Sequence, residues 1–167
     1  MSDNRTKQKY VWQKRCAWLL VAIGLVVVDQ YTKALIVKHF VFAQPYRILP
    51  VLNFTLVYNR GAAYGFLSNQ PGWQLIFFSV LASVASIGLL IYFFRTSLQN
   101  VLRCSAVMLI VAGAIGNLID RISLGYVVDF IQLHIGPYGF AIFNFADACI
   151  TVGVICLLIS FYSFRKV

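Results

Sequence analysis

Glutamate is absent from this 167-residue chain, and its acidic side chains are five Asp set against 14 Lys and Arg. Histidine is almost as scarce. His39 and His134 are the two present, and no His-Glu-x-x-His pair occurs, so a zinc protease is excluded for want of ligands. Neither a Gly-x-Ser-x-Gly elbow nor a phosphate-cradling glycine loop is found, which removes the serine-hydrolase and nucleotide-binding templates. The four cysteines, Cys16, Cys104, Cys149 and Cys156, lie in or at the ends of apolar stretches, so no disulfide framework is indicated. Cys149 and Cys156 share a helix face and read as small buried apolar residues. Cys16 follows Arg15, the wrong context for a lipid-attachment site.

Apolar length is what the chain has in excess. With 60% hydrophobic and 11% charged residues, it is too apolar for an ordinary soluble domain. Trp73 to Phe94 runs 22 residues without a charge, enough as a helix to cross a hydrocarbon core ~30 Å thick. Cys104 to Ile119 contains no charge, and Phe140 to Phe164 contains only Asp147. The first run, Cys16 to Val28, reaches spanning length if its helix continues through Asp29 and Lys33 towards Val37. The expected fold is therefore an all-α polytopic membrane protein with four transmembrane helices, in one domain over residues 1–167. The first helix is read as uncleaved, since no small-x-small site follows its apolar run.

The net charge of +9 invites a nucleic-acid partner, but its distribution argues against one. Arg5, Lys7, Lys9, Lys14 and Arg15 lie in a basic tail, residues 1–15, before helix one. Arg95 and Arg103 bracket the link between helices two and three, and Arg165 and Lys166 close the chain. If four helices alternate, all nine fall on one side, the positive-inside pattern with both termini cytoplasmic. Segments 38–72 and 122–140 then lie outside. The first is rich in β-branched and aromatic residues from Ile48 to Tyr58, followed by a turn at Asn59-Arg60-Gly61, and Gly61 to Gly65 permits close backbone approach. A small β-rich cradle on the membrane surface is expected. In the second, Asp129 shares the period-two face of Val127, Ile131, Leu133 and Ile135, where a hydrophobe belongs.

Four of the five Asp interrupt apolar segments: Asp29, Asp120, Asp129 and Asp147. An Asp at mid-helix costs roughly 2.5–3.5 kcal/mol of insertion free energy. Asn144, Asp147 and Thr151 share a face near the start of helix four. Two readings of that face stand side by side. Asn144 caps the helix and Asp147 complements its dipole, or Asp147 and Asp129 converge at one partly desolvated site and activate water as a pair. Gly113, Asn117 and Arg121 line a polar face of helix three, while Asp120 reads as part of an interfacial Asp–Arg cluster. Asp29 and Lys33 form an i, i+4 pair that eases helix one through the outer interface. Gly113-Ala114-Ile115-Gly116 suits close helix packing, and His134 reads as an interfacial side chain. A proton-relay transporter is the main competitor, but relay carboxylates should spread through the membrane depth, and these four map near one end. A non-enzymatic assembly factor leaves Asp129 unexplained.

Taken in order, five islands resemble one family. They are Asp29-Gln30-Tyr31-Thr32-Lys33, Asn59-Arg60-Gly61-Ala62-Ala63-Tyr64-Gly65, Gly113 to Arg121, Val127-Val128-Asp129-Phe130 and Phe143-Asn144-Phe145-Ala146-Asp147. Their order and the four-helix layout resemble lipoprotein signal peptidase, signal peptidase II, with mild departures at Tyr64 and Ile115. The resemblance implies an aspartic endopeptidase of the bacterial inner membrane that removes the signal peptide of prolipoproteins, cutting before the diacylglyceryl-modified Cys. It implies Asp129 and Asp147 as catalytic residues, with Asp29, Asn59, Gly61, Asn117, Arg121 and Asn144 in site structure or substrate contact. The implied partners are lipid-modified prolipoproteins and membrane lipids. No metal or organic cofactor is needed.

Overall fold

The computed structural model describes residues 2–61, 72–135 and 138–163. Ala62 to Gly65 of the second island lie outside the described residues. Helix α1 spans Ser2–His39, α2 Trp73–Arg95, α3 Val101–Leu124 and α4 Phe145–Ser163. All four are long and apolar enough to cross a membrane. Most of the apolar surface of α1, α2 and α4 faces outward, as along α2 at Ile76, Val80, Val84 and Ile87, which suits hydrocarbon rather than water.

Helix α3 is the central post, with α1, α2 and α4 packed around it. Small residues make the closest contact. A Cβ on Gly113 would collide with the Ala146 carbonyl, and one on Gly153 would come within 2.9 Å of the Ala106 carbonyl. These positions let α3 and α4 approach backbone to backbone, as the Gly113-to-Gly116 stretch predicts. Cys104, Val107, Met108 and Val111 are buried between α3, Phe93 of α2 and Ala22 of α1.

A four-stranded antiparallel sheet caps one end, in the order β1 (Pro45–Leu49), β2 (Leu52–Asn59), β3 (Val127–Ile135) and β4 (Tyr138–Phe143). Strands β2 and β3 pair across the whole α2–α3 hairpin. Ile36 of α1 packs with Leu56, Val128 and Phe130, which fastens the sheet to the end of helix one. A register shift between Phe54 and Val57 realigns β2 so that Val57 faces Asp129 and Asn59 faces Val127.

Three boundaries differ from the sequence reading. The basic tail is helical from Ser2, because no proline interrupts residues 2–39 and Lys, Arg and Gln are good helix formers. The segments expected outside are shorter at their helical ends, since α1 reaches His39 and α3 reaches Leu124. Phe140 to Phe143 belongs to β4 rather than to the last helix. A short apolar run fits either element by periodicity, and the Asn144 cap decides it.

The packing generates a paired prediction. Gly113→Ala should lower the thermal midpoint in detergent, as overpacking typically costs about 1–3 kcal/mol. Gly24→Ala, where nothing lies within 4 Å of the new Cβ, should leave it unchanged or raise it. Equal effects of the two variants would contradict close α3–α4 packing.

Candidate active site

Asn144 sits at the junction of β4 and α4 and works in two directions. Its Oδ1 accepts from the Asp147 amide at 2.9 Å, while its own amide donates to Asp147 Oδ2 at 3.2 Å, a reciprocal cap of the helix start. Because the oxygen is committed to a backbone donor, Nδ2 is left to donate, to Asp129 Oδ1 at 2.7 Å and Asn117 Oδ1 at 3.0 Å. Asn117 Oδ1 also accepts from Lys33 Nζ at 3.0 Å. An ammonium has only donors, so the other end of that amide faces Asp147, and Asn117 Nδ2 donates to Asp147 Oδ1 at 2.8 Å. Two amides thus tie Asp129 and Asp147 into one network.

On the far side of Asp129, Asn59 Nδ2 donates to Oδ2 at 2.9 Å. Asn59 is held by a turn in which the Gly61 amide donates to Asn59 Oδ1 at 2.9 Å. Arg121 Nη1 donates to the Asn117 carbonyl at 3.3 Å, and its guanidinium lies over the Phe78 ring of α2, 5.5 Å from the centroid.

Behind this network lies a buried ion cluster. Lys33 Nζ is 2.8 Å from Asp29 Oδ2 and 2.9 Å from Asp120 Oδ2. Gln30 Nε2 donates to Asp29 Oδ2, Asp120 Oδ1 and the Gly116 carbonyl at 2.9–3.1 Å. Each carboxylate also accepts a backbone amide: Asp29 takes Ala146 at 3.0 Å, and Asp120 takes Val128 at 3.1 Å. Those two residues immediately precede Asp147 and Asp129. The cluster therefore clamps the backbone next to each of the paired aspartates.

In front of the pair opens a cavity of about 560 Å³. Its polar wall is Asn59, Asn117, Arg121, Asp129 and Asp147, and its apolar wall is Val127, Ile142, Phe143, Ile150 and Val152. The Asp129 carboxyl is pushed up to about 7, first by burial and then by the nearby charge of Asp147. The amides of Asn59 and Asn144 and the charge of Lys33 oppose that rise. A carboxyl that holds its proton near neutrality, beside a second carboxylate in an open cavity, is equipped for acid–base work on a bound substrate. Among the described residues no cluster of His, Cys and Asp suited to a metal ion occurs.

A family model described as Signal peptidase (SPase) II matches residues 21–163. The chain belongs to the signal peptidase II family. Among its relatives, the lipoprotein signal peptidase of Coxiella burnetii (strain Dugway 5J108-111) is 44% identical over 154 residues, covering 92% of this chain and 91% of the relative. The lipoprotein signal peptidase of Acinetobacter baumannii (strain SDF) is 45% identical over 149 residues, covering 89% and 85%. A bacterial membrane enzyme structure determined by the in meso method at 2.3 Å resolution is similar in fold, with a TM-score of 0.77, 38% identity and 88% of each chain covered. Membership of this family makes the protein a membrane peptidase.

All eight residues expected at a signal peptidase II site fall in or against this network. Asn59, Gly61, Asn117, Arg121, Asp129 and Asp147 line the cavity, while Asn144 and Asp29 stand behind it. The two readings of Asn144 and Asp147 are compatible, because the cap that starts α4 also aims Asp147 at the cavity. Asp120 departs from expectation. It is not interfacial with Arg121 but 2% exposed and paired with Lys33. Lys33, 3% exposed, likewise does not ease a helix through the interface. Sequence reasoning left Gln30, Lys33 and Asp120 out of the site. The signal was available: a lysine inside an apolar helix needs more than one acceptor, and Asp29 is a single carboxylate.

Asp129 gives a pH prediction. Its native value, about 7, lies above the ordinary 3.8, so between those limits the native state holds a proton that the unfolded chain has released. Its contribution is complete below pH ~4, declines as pH rises, and is lost above pH ~7, by an amount of the order of a few kcal/mol. In detergent, Asp129→Asn should therefore gain thermal stability relative to wild type between pH 5 and pH 8. Parallel melting curves across that range would contradict the assignment.

Proposed function

We propose that the protein is an aspartic endopeptidase that removes the signal peptide from diacylglyceryl-modified prolipoproteins, cutting on the amino side of the lipidated Cys. The observation that carries this reading is the convergence of Asp129 and Asp147, from different elements, on one cavity with both polar and apolar walls. The names of the relatives support the substrate class.

Asp129, whose carboxyl titrates near 7, holds the shared proton. Asp147 accepts two N–H bonds in the first turn of α4, where the helix dipole favours negative charge, and acts as the base. It takes a proton from water as the oxygen attacks the scissile carbonyl carbon, and Asp129 gives its proton to the carbonyl oxygen. When the tetrahedral intermediate collapses, the C–N bond breaks, the proton held by Asp147 passes to the leaving amine, and a hydroxyl of the intermediate returns a proton to Asp129 as the C=O bond re-forms. Two carboxyls that line one cavity and feel each other's charge cannot readily both ionise, so the two act as one titrating unit.

The cavity also fits the substrate's form. A signal-peptide helix satisfies its own backbone bonds, so its scissile bond must be unwound within protein or a wet cavity. The polar wall supplies partners for the released backbone groups. Ile150 and Val152 extend the apolar wall down α4, where acyl chains and the signal helix can remain in contact with hydrocarbon. An anchored diacylglyceryl group then fixes the peptide bond at the depth of the pair, turning binding into positioning. With the basic ends cytoplasmic by the positive-inside rule, the cavity and sheet lie near the outer face of the bacterial inner membrane.

Purified protein incubated with a lipidated precursor should release the signal peptide intact, as read by product mass. Asp129→Asn and Asp147→Asn should each lose at least ~10²–10⁴-fold in turnover. The double variant should be little worse than either single one, because the two act together. An unlipidated precursor at matched concentration should be cut far more slowly. Near-normal turnover in either folded single variant would end the pair assignment, and equal rates for the two precursors would end the lipid-positioning account.

A further inference from the structure

At the opposite end of α1, far from the sheet, lies a second cavity of about 450 Å³. Tyr10, Lys14 and Arg15 line it from α1, and Ser97, Leu98 and Gln99 from the α2–α3 turn. Arg15 holds the walls together. Its guanidinium donates to the Phe93 carbonyl at 2.8 Å and the Thr96 carbonyl at 3.4 Å, and lies 5.4 Å from the ring centroids of Phe93 and Phe94. The Lys14 ammonium lies 4.5 Å from the Tyr10 ring centroid.

Among the described residues lining this cavity there is no carboxylate. Asp29 and Asp120 are committed to Lys33, and Asp129 and Asp147 face the other cavity. Along α1, 15 residues or about 22 Å separate Lys14 from Asp29. Arg95 and Arg103 at the ends of the α2–α3 turn add further positive charge to the same end.

We propose that this cavity binds the phosphate-bearing headgroup of an anionic glycerophospholipid from the leaflet that meets the basic end of the molecule. Depth favours a lipid over a free anion. The apolar run of α1 begins at Cys16, directly after Arg15, so the two cations stand at headgroup level. Tyr10 and the tilted Trp12–Phe94 pair supply the interfacial aromatics expected there. Val11 and Leu98 give the cavity apolar lining that a free phosphate would leave without a partner. Below it, the outward-facing apolar side chains of α1 and α2 continue the path for acyl chains. Basic recesses between transmembrane helices are suited to such headgroups.

The test uses the full-length protein in an uncharged detergent, titrated with phosphatidylglycerol or with phosphatidylcholine of the same acyl chains. Bound lipid is counted by native mass spectrometry and stability is followed by thermal shift. Phosphatidylglycerol should bind about tenfold more tightly than phosphatidylcholine and raise the midpoint. Lys14→Gln should weaken it about fivefold, the effect of one cation near a lipid surface. Lys9→Gln, exposed on α1 outside the cavity, should change it less than about twofold. Glycerol phosphate, a headgroup without tails, should give no shift at the same concentration. Equal affinity for the two lipids overturns the proposal. So do equal losses from Lys9→Gln and Lys14→Gln, which signify a diffuse positive field. A glycerol phosphate shift as large as the lipid's overturns the lipid source.

Discussion

Lys33 Nζ pairs with two buried carboxylates at once, at 2.8 and 2.9 Å, and donates to a third acceptor, the Asn117 amide oxygen, at 3.0 Å. An unpaired charge at this depth costs several kcal/mol, so the four side chains stand or fall together. Their arrangement sets much of what surrounds them. Asp29 fixes the backbone at Ala146 and Asp120 fixes it at Val128, one residue ahead of Asp147 and Asp129 respectively. Lys33 also determines which way the Asn117 amide points, and through it which carboxylate oxygen receives a donor. Helices α1, α3 and α4 and strand β3 are thereby joined at one polar point inside an otherwise apolar bundle.

That arrangement reconciles two demands that conflict in a membrane. The proposed chemistry requires carboxyl groups poorly enough solvated for one to keep a proton near neutrality, whereas insertion penalises such groups severely. Saturating every neighbour with defined donors meets both. Asp29 and Asp120 are compensated by charge, and Asp129 by the neutral amides of Asn59 and Asn144. Asp29 and Asp120 face an ammonium at ion-pair distance, and Asp129 lines an open cavity, where burial and the charge of Asp147 push its carboxyl up to about 7. Close α3–α4 packing through Gly113 and Gly153 supplies the rigidity that such spacing needs.

Much of this was legible in the residues. Uninterrupted apolar runs marked the four helices, and the spacing of Gly113, Asn117 and Arg121 marked the polar face of α3. Asp129 at an apolar strand position was the clearest pointer to the site. The structure explains its oddity: β3 is buried on both faces where it begins, with Val127, Val128, Asp129 and Phe130 all covered. What stayed hidden depended on contacts between distant segments. Asp120 and Arg121 are neighbours in sequence, but adjacent helical positions point apart, and only the fold brings Asp120 to Lys33, 87 residues away. The β4 strand was hidden because Phe140 to Phe143 is apolar enough to extend the last helix, and only the Asn144 cap separates the two.

The central claim is that Asp129 and Asp147 share one proton near neutral pH. Infrared titration of the protonated-carboxyl C=O band, comparing wild type with Asp129→Asn, tests it most directly. The account predicts a band that persists to about pH 7 in wild type and is missing from that range in the variant. A wild-type spectrum with no protonated carboxyl above pH ~5, where ordinary carboxyls have ionised, would contradict it.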